Sequence, residues 1–371
     1  MKASKFKIRM NPKFQAGCTQ TLDICRELYN AGLQERRDAR QINRTSINYH
    51  KQALQLPAIK QVREDVANVY SQVLQDTLQR LGKTFDAFFQ RVKKGATPGF
   101  PRFKGKAFFS SFCYPQSGFR LEGDKLHLSK IGSCRVRLSR PVEGTIKTCT
   151  IKREADGWFV IFTVEENQSR WFPRTGETAG VDVGIENFAT LSTGQVIENP
   201  KLLRQAERSL KTAQRQVSRR KKRSNRRKKA VVLLARQHLK VKRQRLDFFH
   251  KTSLNLVREF DQTAFEDLNI KGLVKNHHLA KSISDAAWGT FLIIHTSKAA
   301  NAGRVVSTVP AAFTSQDCSQ CGNRVRKSLA VREHRCLACG FVTHRDHNAA
   351  INIRHKAGAR PSGMGESARV N

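Results

Sequence analysis

The sequence predicts an α/β protein of several domains, and three observations support that class. The chain has 371 residues, enough for two or three domains. Residues 15–95 repeat apolar side chains at helical spacing, whereas residues 107–166 alternate apolar and polar side chains as strands do. From residue 180 onward, short apolar runs typical of strands alternate with helical patterns. We therefore expect a helical unit inserted into a β domain, followed by a mixed α/β domain.

In the N-terminal part, "KFKIRM" (5–10) alternates as a strand and is expected to join the later sheet. Four valines after Pro57 step by four, three and four residues and predict one helical face: Val62, Val66, Val69 and Val73. The Gly- and Pro-containing stretch 93–106 ends this unit. Asp156-Gly157, with apolar runs on both sides, predicts a hairpin.

In the C-terminal part, residues 180–199 predict two strands, "TAFEDLNI" (263–270) a buried strand, "WGTFLIIHTSKAANAG" (288–303) a helix and "RVVSTV" (304–309) another strand. "RDHNAAINI" predicts a helix that places Ala349, Ala350 and Ile353 on one small face, suited to close packing on a sheet. Residues 357–371 are expected to be disordered.

The formal net charge is +38 and the pI about 10.6. Such self-repulsion favours a polyanionic partner, so DNA or RNA is the first expectation and an anionic membrane surface the competing one. No apolar run approaches the length of a membrane helix, and "MKASKFKIRM" has no signal-peptide core. We expect a soluble, cytoplasmic protein that associates with the nucleoid through DNA.

Four of the nine cysteines are clustered as two CxxC pairs separated by fourteen residues: Cys318, Cys321, Cys336 and Cys339. This spacing is typical of a zinc ribbon, in which four thiolates fill a tetrahedron and leave no open position for catalysis. Two disulfides are disfavoured by a reducing compartment, and a redox CxxC is disfavoured by the paired arrangement. The pattern predicts a structural zinc, but it does not indicate which molecule the ribbon would bind.

Three acids lie in or at the ends of predicted elements: Asp182 within a strand, Glu266 at a strand end and Asp346 at a helix start. If they converge, their oxygens suit divalent cations, and two Mg²⁺ ions could support phosphodiester cleavage. Taken singly, Asp346 is better explained as a helix N-terminal charge and Glu266 as a strand-end acid with a salt-bridge partner, whereas Asp182 has weaker competing explanations. The pattern alone leaves both interpretations open.

A set of motifs resembles the transposon-encoded TnpB (OrfB) family, RNA-guided DNA nucleases related to type V CRISPR effectors. The motifs are "YNAGLQERR", "GFPRFKGK", "CYPQSGF", "EGTIKTCTIKREADGW", "GVDVGI", "FEDLNIKGLVKNHHLAKSISDAAW", "AFTSQDCSQCG" and "RDHNAAINI". They span nearly the whole chain. The sequence departs from the family pattern at three positions, by Ser129, where proline is usual, by His344, where an acid is usual, and by His347 after the last acid.

The resemblance implies a RuvC-type RNase H-like core with Asp182, Glu266 and Asp346 as its metal-binding triad. It also implies a wedge β-barrel at 1–14 and 96–172, carrying a helical recognition domain at 15–95. The nuclease domain would cover 173–310, with a basic helical insertion at about 201–260. A zinc ribbon at 311–343 and a last RuvC helix at 344–356 would follow.

Residues 201–250 hold 19 lysines and arginines against two acids. The pattern predicts two helices joined by a dense basic segment, here called the basic elbow: Arg219, Arg220, Lys221, Lys222, Arg223, Arg226, Arg227, Lys228 and Lys229. A solvated charged face usually mixes signs, so nucleic acid is favoured. In this family the elbow would contact guide RNA or the heteroduplex through backbone and shape. Phe112, Tyr114 and Phe119 are candidates for base stacking or for core packing.

The sequence thus predicts an RNA-guided, Mg²⁺-dependent DNA endonuclease of a bacterial-type insertion sequence. Its partners would be a guide RNA and double-stranded target DNA, cut beside a short motif that the protein reads. Two alternatives are an RNA-guided DNA-binding protein or repressor that does not cut, and a guide-free DNA-binding transposition accessory. Cleavage and co-purified RNA discriminate among the three.

Overall fold

The computed structural model of the chain describes residues 1–165, 171–328 and 331–358. The chain divides into two compact units, residues 1–167 and residues 168–371. The predicted disordered tail lies, from residue 359 onward, outside the described residues. Among the residues described, no helix is both long and apolar enough to cross a membrane.

The first unit is built on an antiparallel sheet with the strand order β2-β6-β7-β1-β5-β4-β3. Its strands are β1 (Lys2–Arg9), β2 (Ser111–Tyr114), β3 (Phe119–Glu122), β4 (Lys125–Leu128), β5 (Gly132–Arg137), β6 (Thr145–Glu154) and β7 (Gly157–Glu165). β1 pairs with both β5 and β7, so the prediction that the N-terminal strand joins this sheet is confirmed. The predicted hairpin is also confirmed, since Glu154 pairs with Gly157 across its turn.

Five helices lie between β1 and β2 in the sequence: α1 (Pro12–Ile42), α2 (Tyr49–Leu54), α3 (Leu56–Val62), α4 (Glu64–Ala67) and α5 (Ser71–Lys93). Asn11 starts α1 by accepting a hydrogen bond from the Phe14 amide at 2.8 Å, and proline follows at the first helical position. The prediction that the four valines share one helical face is wrong in part. Val62 is exposed at the end of α3, and the chain leaves the helical conformation twice before α5 begins.

The seven strands form an open sheet, which corrects the predicted closed barrel. β2 and β3 are the two edge strands, and no pairing joins them within the described residues. The sheet buries one face against helices instead of against itself, because α1 and α5 contact β2 and α1 also contacts β5. Helix and strand side chains share one core, in which Leu22, Leu78 and Phe162 are all buried.

The second unit is built on a mixed sheet with the strand order β10-β9-β8-β11-β12. Its strands are β8 (Thr178–Val183), β9 (Asn187–Leu191), β10 (Val196–Glu198), β11 (Gln262–Asp267) and β12 (Val305–Pro310). β8, β9 and β10 pair antiparallel, whereas β8, β11 and β12 run parallel. The carboxyl ends of the three parallel strands therefore meet at one edge of the sheet.

The helices of this unit are α6 (Leu202–Arg219), α7 (Asn225–Glu259), α8 (Ile270–Leu273), α9 (Ala280–Ala286) and α10 (Trp288–Asn301). A two-stranded ribbon, β13 (Glu333–Arg335) with β14 (Val342–His344), leads directly into α11 (Arg345–Lys356). α10 packs on α7, and α11 packs on β8, β9 and β11. The core between them is rich in aromatic rings, with Phe188, Phe249 and Phe291 fully buried.

Candidate metal centres and nucleic-acid surface

The three predicted acids line one cavity of about 890 Å³ in the second unit. Asp182 and Glu266 lie near the carboxyl ends of the parallel strands β8 and β11, and their preceding residues, Val181 and Phe265, are register partners. Asp346 is 8% exposed in the first turn of α11. The fold thus brings together side chains that lie 84 and 80 residues apart in the sequence.

Close packing of α11 on β8 sets the position of Asp346. Ala349, Ala350 and Ile353 are fully buried on the helix face that the sequence predicts to be small. At Gly180 of β8 an added Cβ would overlap the Ala350 carbonyl and lie 2.6 Å from the Arg354 amide nitrogen. Only glycine therefore allows the helix to approach the strand this closely.

Charge repulsion is built into the cavity. Burial, followed by the negative charges of Glu266 and Asp346, raises the pKa of Asp182 well above its usual range, while Arg345 and Arg332 oppose that shift. Burial also raises the pKa of Glu266, against a hydrogen bond donated by the Thr314 hydroxyl. The positive charge near the carboxylates therefore does not balance their negative charge, and a divalent cation would supply the difference.

Arginines supply part of this positive charge at Asp346. Arg345 lies 3.1 Å from one Asp346 carboxylate oxygen, and Arg332 lies 3.7 Å from the other. Arg332 also forms a 3.0 Å ion pair with Glu186. The four clustered cysteine sulfurs all lie within 4.8 Å of one another. Among the described residues, the three carboxylates do not form a group as tight as this.

The two histidines that depart from the family pattern have structural partners. His344 caps α11, because its Nδ1 accepts a hydrogen bond from the Asp346 amide at 3.3 Å. His347 lies 3.1 Å from the Thr343 hydroxyl and 3.3 Å from the Ser192 carbonyl oxygen. Both residues therefore support the position of the helix that carries Asp346.

The four clustered cysteines form a compact sulfur site. Their sulfurs all lie within 4.8 Å of one another, with 3.7 Å between Cys318 and Cys339 and 3.5 Å between Cys321 and Cys336. A tetrahedral zinc with bonds of about 2.3 Å separates its sulfurs by about 3.8 Å. The observed spacing therefore fits zinc, and it is far longer than a disulfide of about 2.05 Å.

Each cysteine pair forms the same turn. Gly322 and Gly340 have φ of 79° and 75°, and their amides bond to the carbonyls of Cys318 and Cys336 at 2.9 Å. Hydrogen bonds from the backbone amides of Cys339 and Ala338 lower the pKa of Cys336 to about 7. The turn thus favours a thiolate, the form that binds metal, at Cys336, whereas burial and the neighbouring sulfurs raise the pKa of Cys321 and Cys339.

Two buried asparagines that the sequence analysis missed connect the sulfur site to α11. Asn348 accepts a hydrogen bond from the Ser319 amide at 2.9 Å and donates one to the Asp317 carbonyl at 2.8 Å. Asn352 donates to the carbonyls of Thr314 and Asp317 at 2.8 and 2.7 Å. Their spacing of four residues on the buried face of an apolar helix is the signal that could have identified them.

The basic elbow lies at the end of α6, in the following turn and at the start of α7. Eight of its nine side chains are exposed. Arg227 is the half-buried exception: its guanidinium donates a 2.7 Å hydrogen bond to the Val217 carbonyl at the end of α6. The elbow therefore presents a dense cationic surface, and one of its members also holds the two helices together.

The aromatic candidates of the first unit belong to its core. Phe112 and Tyr114 are buried, and the Tyr114 hydroxyl donates to the Ser129 carbonyl at 2.8 Å. Phe119 is partly buried and packs against the same core. Core packing, not base stacking, is the role that the structure gives them.

Comparison with known proteins places the chain in a family. A model described as "Probable transposase" (OrfB_IS605) matches residues 161–277, a Cas12f1-like TNB domain model matches residues 288–353, and a helix-turn-helix model matches residues 1–45. A Streptomyces pristinaespiralis protein named "Putative RNA-guided DNA endonuclease" is 36% identical over 98% of this chain and 91% of its own length. The chain belongs to the TnpB (OrfB) family.

Another TnpB-family relative is the Escherichia coli K12 protein named "Putative RNA-guided DNA endonuclease InsQ", 29% identical over 95% of this chain and 91% of its own length. Among solved structures, a Cas12f1–sgRNA–target DNA complex matches with a TM-score of 0.35 at 14% identity, covering 95% of this chain and 98% of that one.

The helix-turn-helix model matches residues 1–45, but in the structure these residues form one strand, β1, and one uninterrupted helix, α1.

Proposed function

We propose that this TnpB-family protein is an RNA-guided, Mg²⁺-dependent DNA endonuclease of a bacterial-type insertion sequence. One observation carries the proposal: Asp182, Glu266 and Asp346 line a single cavity at the carboxyl edge of the mixed sheet. The names of the Streptomyces and Escherichia relatives support the same activity. The sheet order, with β8 between an antiparallel and a parallel neighbour, supports a RuvC-type RNase H-like core.

The three carboxylates have the oxygen chemistry that Mg²⁺ prefers, and their shortage of positive charge favours its binding. Bound Mg²⁺ would activate water and stabilise the leaving oxygen of the phosphodiester. In this assignment Asp182 and Glu266 hold the metal from rigid strands, and Asp346 completes the site from the start of α11. Arg332 and Arg345 would then help to neutralise the scissile phosphate.

Guide RNA is the proposed source of most sequence specificity, and the protein would read only a short motif beside the target. The basic elbow supports this role, because eight of its nine cationic side chains are exposed within eleven consecutive positions of the second unit. Such a surface binds nucleic acid through phosphates and needs no base contacts.

The remaining assignments follow the family. In the first unit we assign residues 1–14 and 96–172 to a wedge domain and residues 15–95 to a recognition domain. In the second unit, residues 173–310 and 344–356 would form the nuclease domain, interrupted by the basic insertion at about 201–260. Residues 311–343 would be a structural zinc ribbon, held by Cys318, Cys321, Cys336 and Cys339.

The test begins with protein expressed together with its insertion-sequence flanks. Sequencing the RNA that co-purifies identifies the guide, and a matched plasmid target with Mg²⁺ then tests cleavage. Asp182→Ala should bind the guide and not cut, whereas Asp267→Asn, an exposed acid next to Glu266, should still cut. Bound RNA without cleavage by the unmutated protein would favour a guided binder, and absence of bound RNA a guide-free accessory.

A further inference from the structure

A second large cavity lies in the first unit, and none of its lining residues belongs to the acid triad, the sulfur site or the basic elbow. Its volume is about 790 Å³, and it is formed by α1, the 45–50 segment, α5 and Phe100. That volume lies within the usual range for small-ligand sites. Two large apolar rings are left exposed at its wall, Phe89 at 60% and Phe100 at 48%. Exposed phenylalanines that line a concave site point to a ligand with a flat apolar face.

The rings form a fixed platform. Phe100 contacts Phe85 and Phe88 edge-to-face, with centroids 5.7 and 5.4 Å apart. Phe88 in turn contacts Phe89 at 5.2 Å. Edge-to-face packing is the preferred geometry of such pairs, so the exposed ring faces are held in place before any ligand arrives.

The buried guanidinium of Arg36 is an independent sign of a missing partner. Arg36 is only 9% exposed and lines the cavity. Its Nε donates to Gln52 at 2.9 Å, and its guanidinium lies 5.0 Å from the Phe85 ring centroid. Its Nη2, however, is buried without a hydrogen-bond partner among the described residues. An unpaired buried donor is costly, so an acceptor oxygen supplied by a ligand would stabilise this wall.

The charge of the lining selects the class of ligand. Arg36, Arg37 and Arg40 line the cavity together with His50, and Asp86 is the acid among the lining residues. An apolar peptide would satisfy the rings and leave the arginines without an anion. A nucleotide satisfies both, because its base has a π face and its phosphate accepts from guanidinium groups.

We propose that this cavity binds one unpaired nucleotide of a single-stranded nucleic acid. The base stacks on Phe89 and Phe100, the phosphate pairs with Arg37 and Arg40, and an oxygen of the base or sugar accepts a hydrogen bond from Arg36. Stacking of this kind tolerates any base, so the site would hold a strand without reading it. The inference does not rest on the nuclease assignment, since it uses none of the acids of the second unit.

The test uses the full chain in Mg²⁺-free buffer. The probes are a single-stranded RNA and a DNA of the same sequence, each with one 5-iodouracil, and photo-cross-linked peptides are mapped by mass spectrometry. We expect a cross-link in the peptide carrying Phe89 or Phe100. Its yield should fall by about 5- to 150-fold in Phe89→Ala, the range expected from losing one base-stacking ring. Comparing the two probes shows which sugar the site accepts.

Phe108→Ala is the matched control, because Phe108 is 81% exposed in the same unit and does not line the cavity. It should keep the cross-link. As a second measurement, an abasic residue in place of the 5-iodouracil nucleotide should weaken binding to the unmutated chain and have no further effect on Phe89→Ala. Cross-links confined to other peptides, or equal binding of abasic and intact probes, would overturn the proposal. Asp182→Ala should give the wild-type pattern whether or not the chain is a nuclease.

Discussion

Gly180 lies directly beneath Ala350, so that strand β8 and helix α11 touch through their main chains. Asp182 follows two residues after this contact on the strand, and Asp346 precedes Ala350 by one helical turn. The glycine thereby fixes the separation between two of the three acids. A side chain at this position would move the helix that carries Asp346.

We predict that Gly180→Ala destabilises the second unit by about 3 kcal/mol or more, because the new methyl group meets backbone atoms that cannot rotate away. Thermal or denaturant unfolding measures the loss. Gly99→Ala is the control, since the nearest neighbour to a Cβ there is the end of an arginine side chain at 4.0 Å. Equal stabilities of the two variants would show that α11 does not depend on this close approach.

Removing any one acid of the cavity should abolish cleavage and spare guided binding. We expect Asp182→Ala, Glu266→Ala and Asp346→Ala each to lower the cleavage rate by on the order of 10³-fold, since a metal ligand contributes several kcal/mol to the transition state. Cleavage and binding are measured on the same guide and target. Asp267→Asn should leave both unchanged. Efficient cutting by one of the three alanine variants at ordinary Mg²⁺ would exclude that residue from the triad.

The raised pKa values of Asp182 and Glu266 predict how stability depends on pH. In Mg²⁺-free buffer their contribution is fully present below the ordinary values of 3.8 and 4.5, and it is lost as pH rises through the higher folded-state pKa values. Asp182→Asn should therefore melt at a higher temperature than the unmutated chain, and the difference should grow with pH. Each kcal/mol of repulsion removed corresponds to roughly 2–4 °C.

Adding Mg²⁺ to the unmutated chain and to Asp182→Asn tests the same assignment a second way. It should raise the melting temperature of the unmutated chain at neutral pH and have little effect on Asp182→Asn, because the ligand set is then incomplete. A pH-independent difference between the two proteins, or the same Mg²⁺ response in both, would contradict the assignment of a buried, mutually repelling acid cluster.

The sulfur site should hold one zinc per chain. Cys336→Ser is expected to lose the metal and to lower stability and solubility, because a structural site contributes its binding free energy to folding. Elemental analysis of purified protein, together with unfolding, measures both effects. Cys113→Ser, at a buried thiol of the first unit, should keep full zinc content. Soluble, active protein without zinc would refute the prediction.

The basic elbow should act on nucleic acid through its phosphates. Replacing Arg219, Arg220, Lys222 and Arg226 by glutamine should weaken binding to RNAs of unrelated sequence. The slope of log K against log salt should become shallower by about 0.7–0.9 for each phosphate that the variant no longer neutralises. Arg227 is left intact in this variant because it caps α6. Arg227→Gln alone should instead lower thermal stability, and unchanged salt slopes in the fourfold variant would assign the binding surface elsewhere.

Local sequence pattern was sufficient for features that depend on neighbouring residues. Strand β11, helix α10 and the small face of α11 follow from periodicity, and the turns at Gly322 and Gly340 follow from the spacing of the cysteine pairs. These features need only a few consecutive side chains, so one sequence is enough to predict them.

Features that depend on distant segments could not be predicted from the sequence. The ion pair of Arg332 with Asp346, and the bond from Arg227 to Val217, exist only once separate elements have packed. The open sheet of the first unit is of the same kind. Strand patterns show which residues pair, but the helices that cover the sheet determine whether it closes.

Asn348 and Asn352 bind the first cysteine turn to the helix that carries Asp346. On the assignments proposed above, the two metal sites are thermodynamically linked, since filling either one favours the helix position that the other requires. Zinc depletion should then weaken Mg²⁺ affinity as well as fold stability, and Asn348→Ala should uncouple the two.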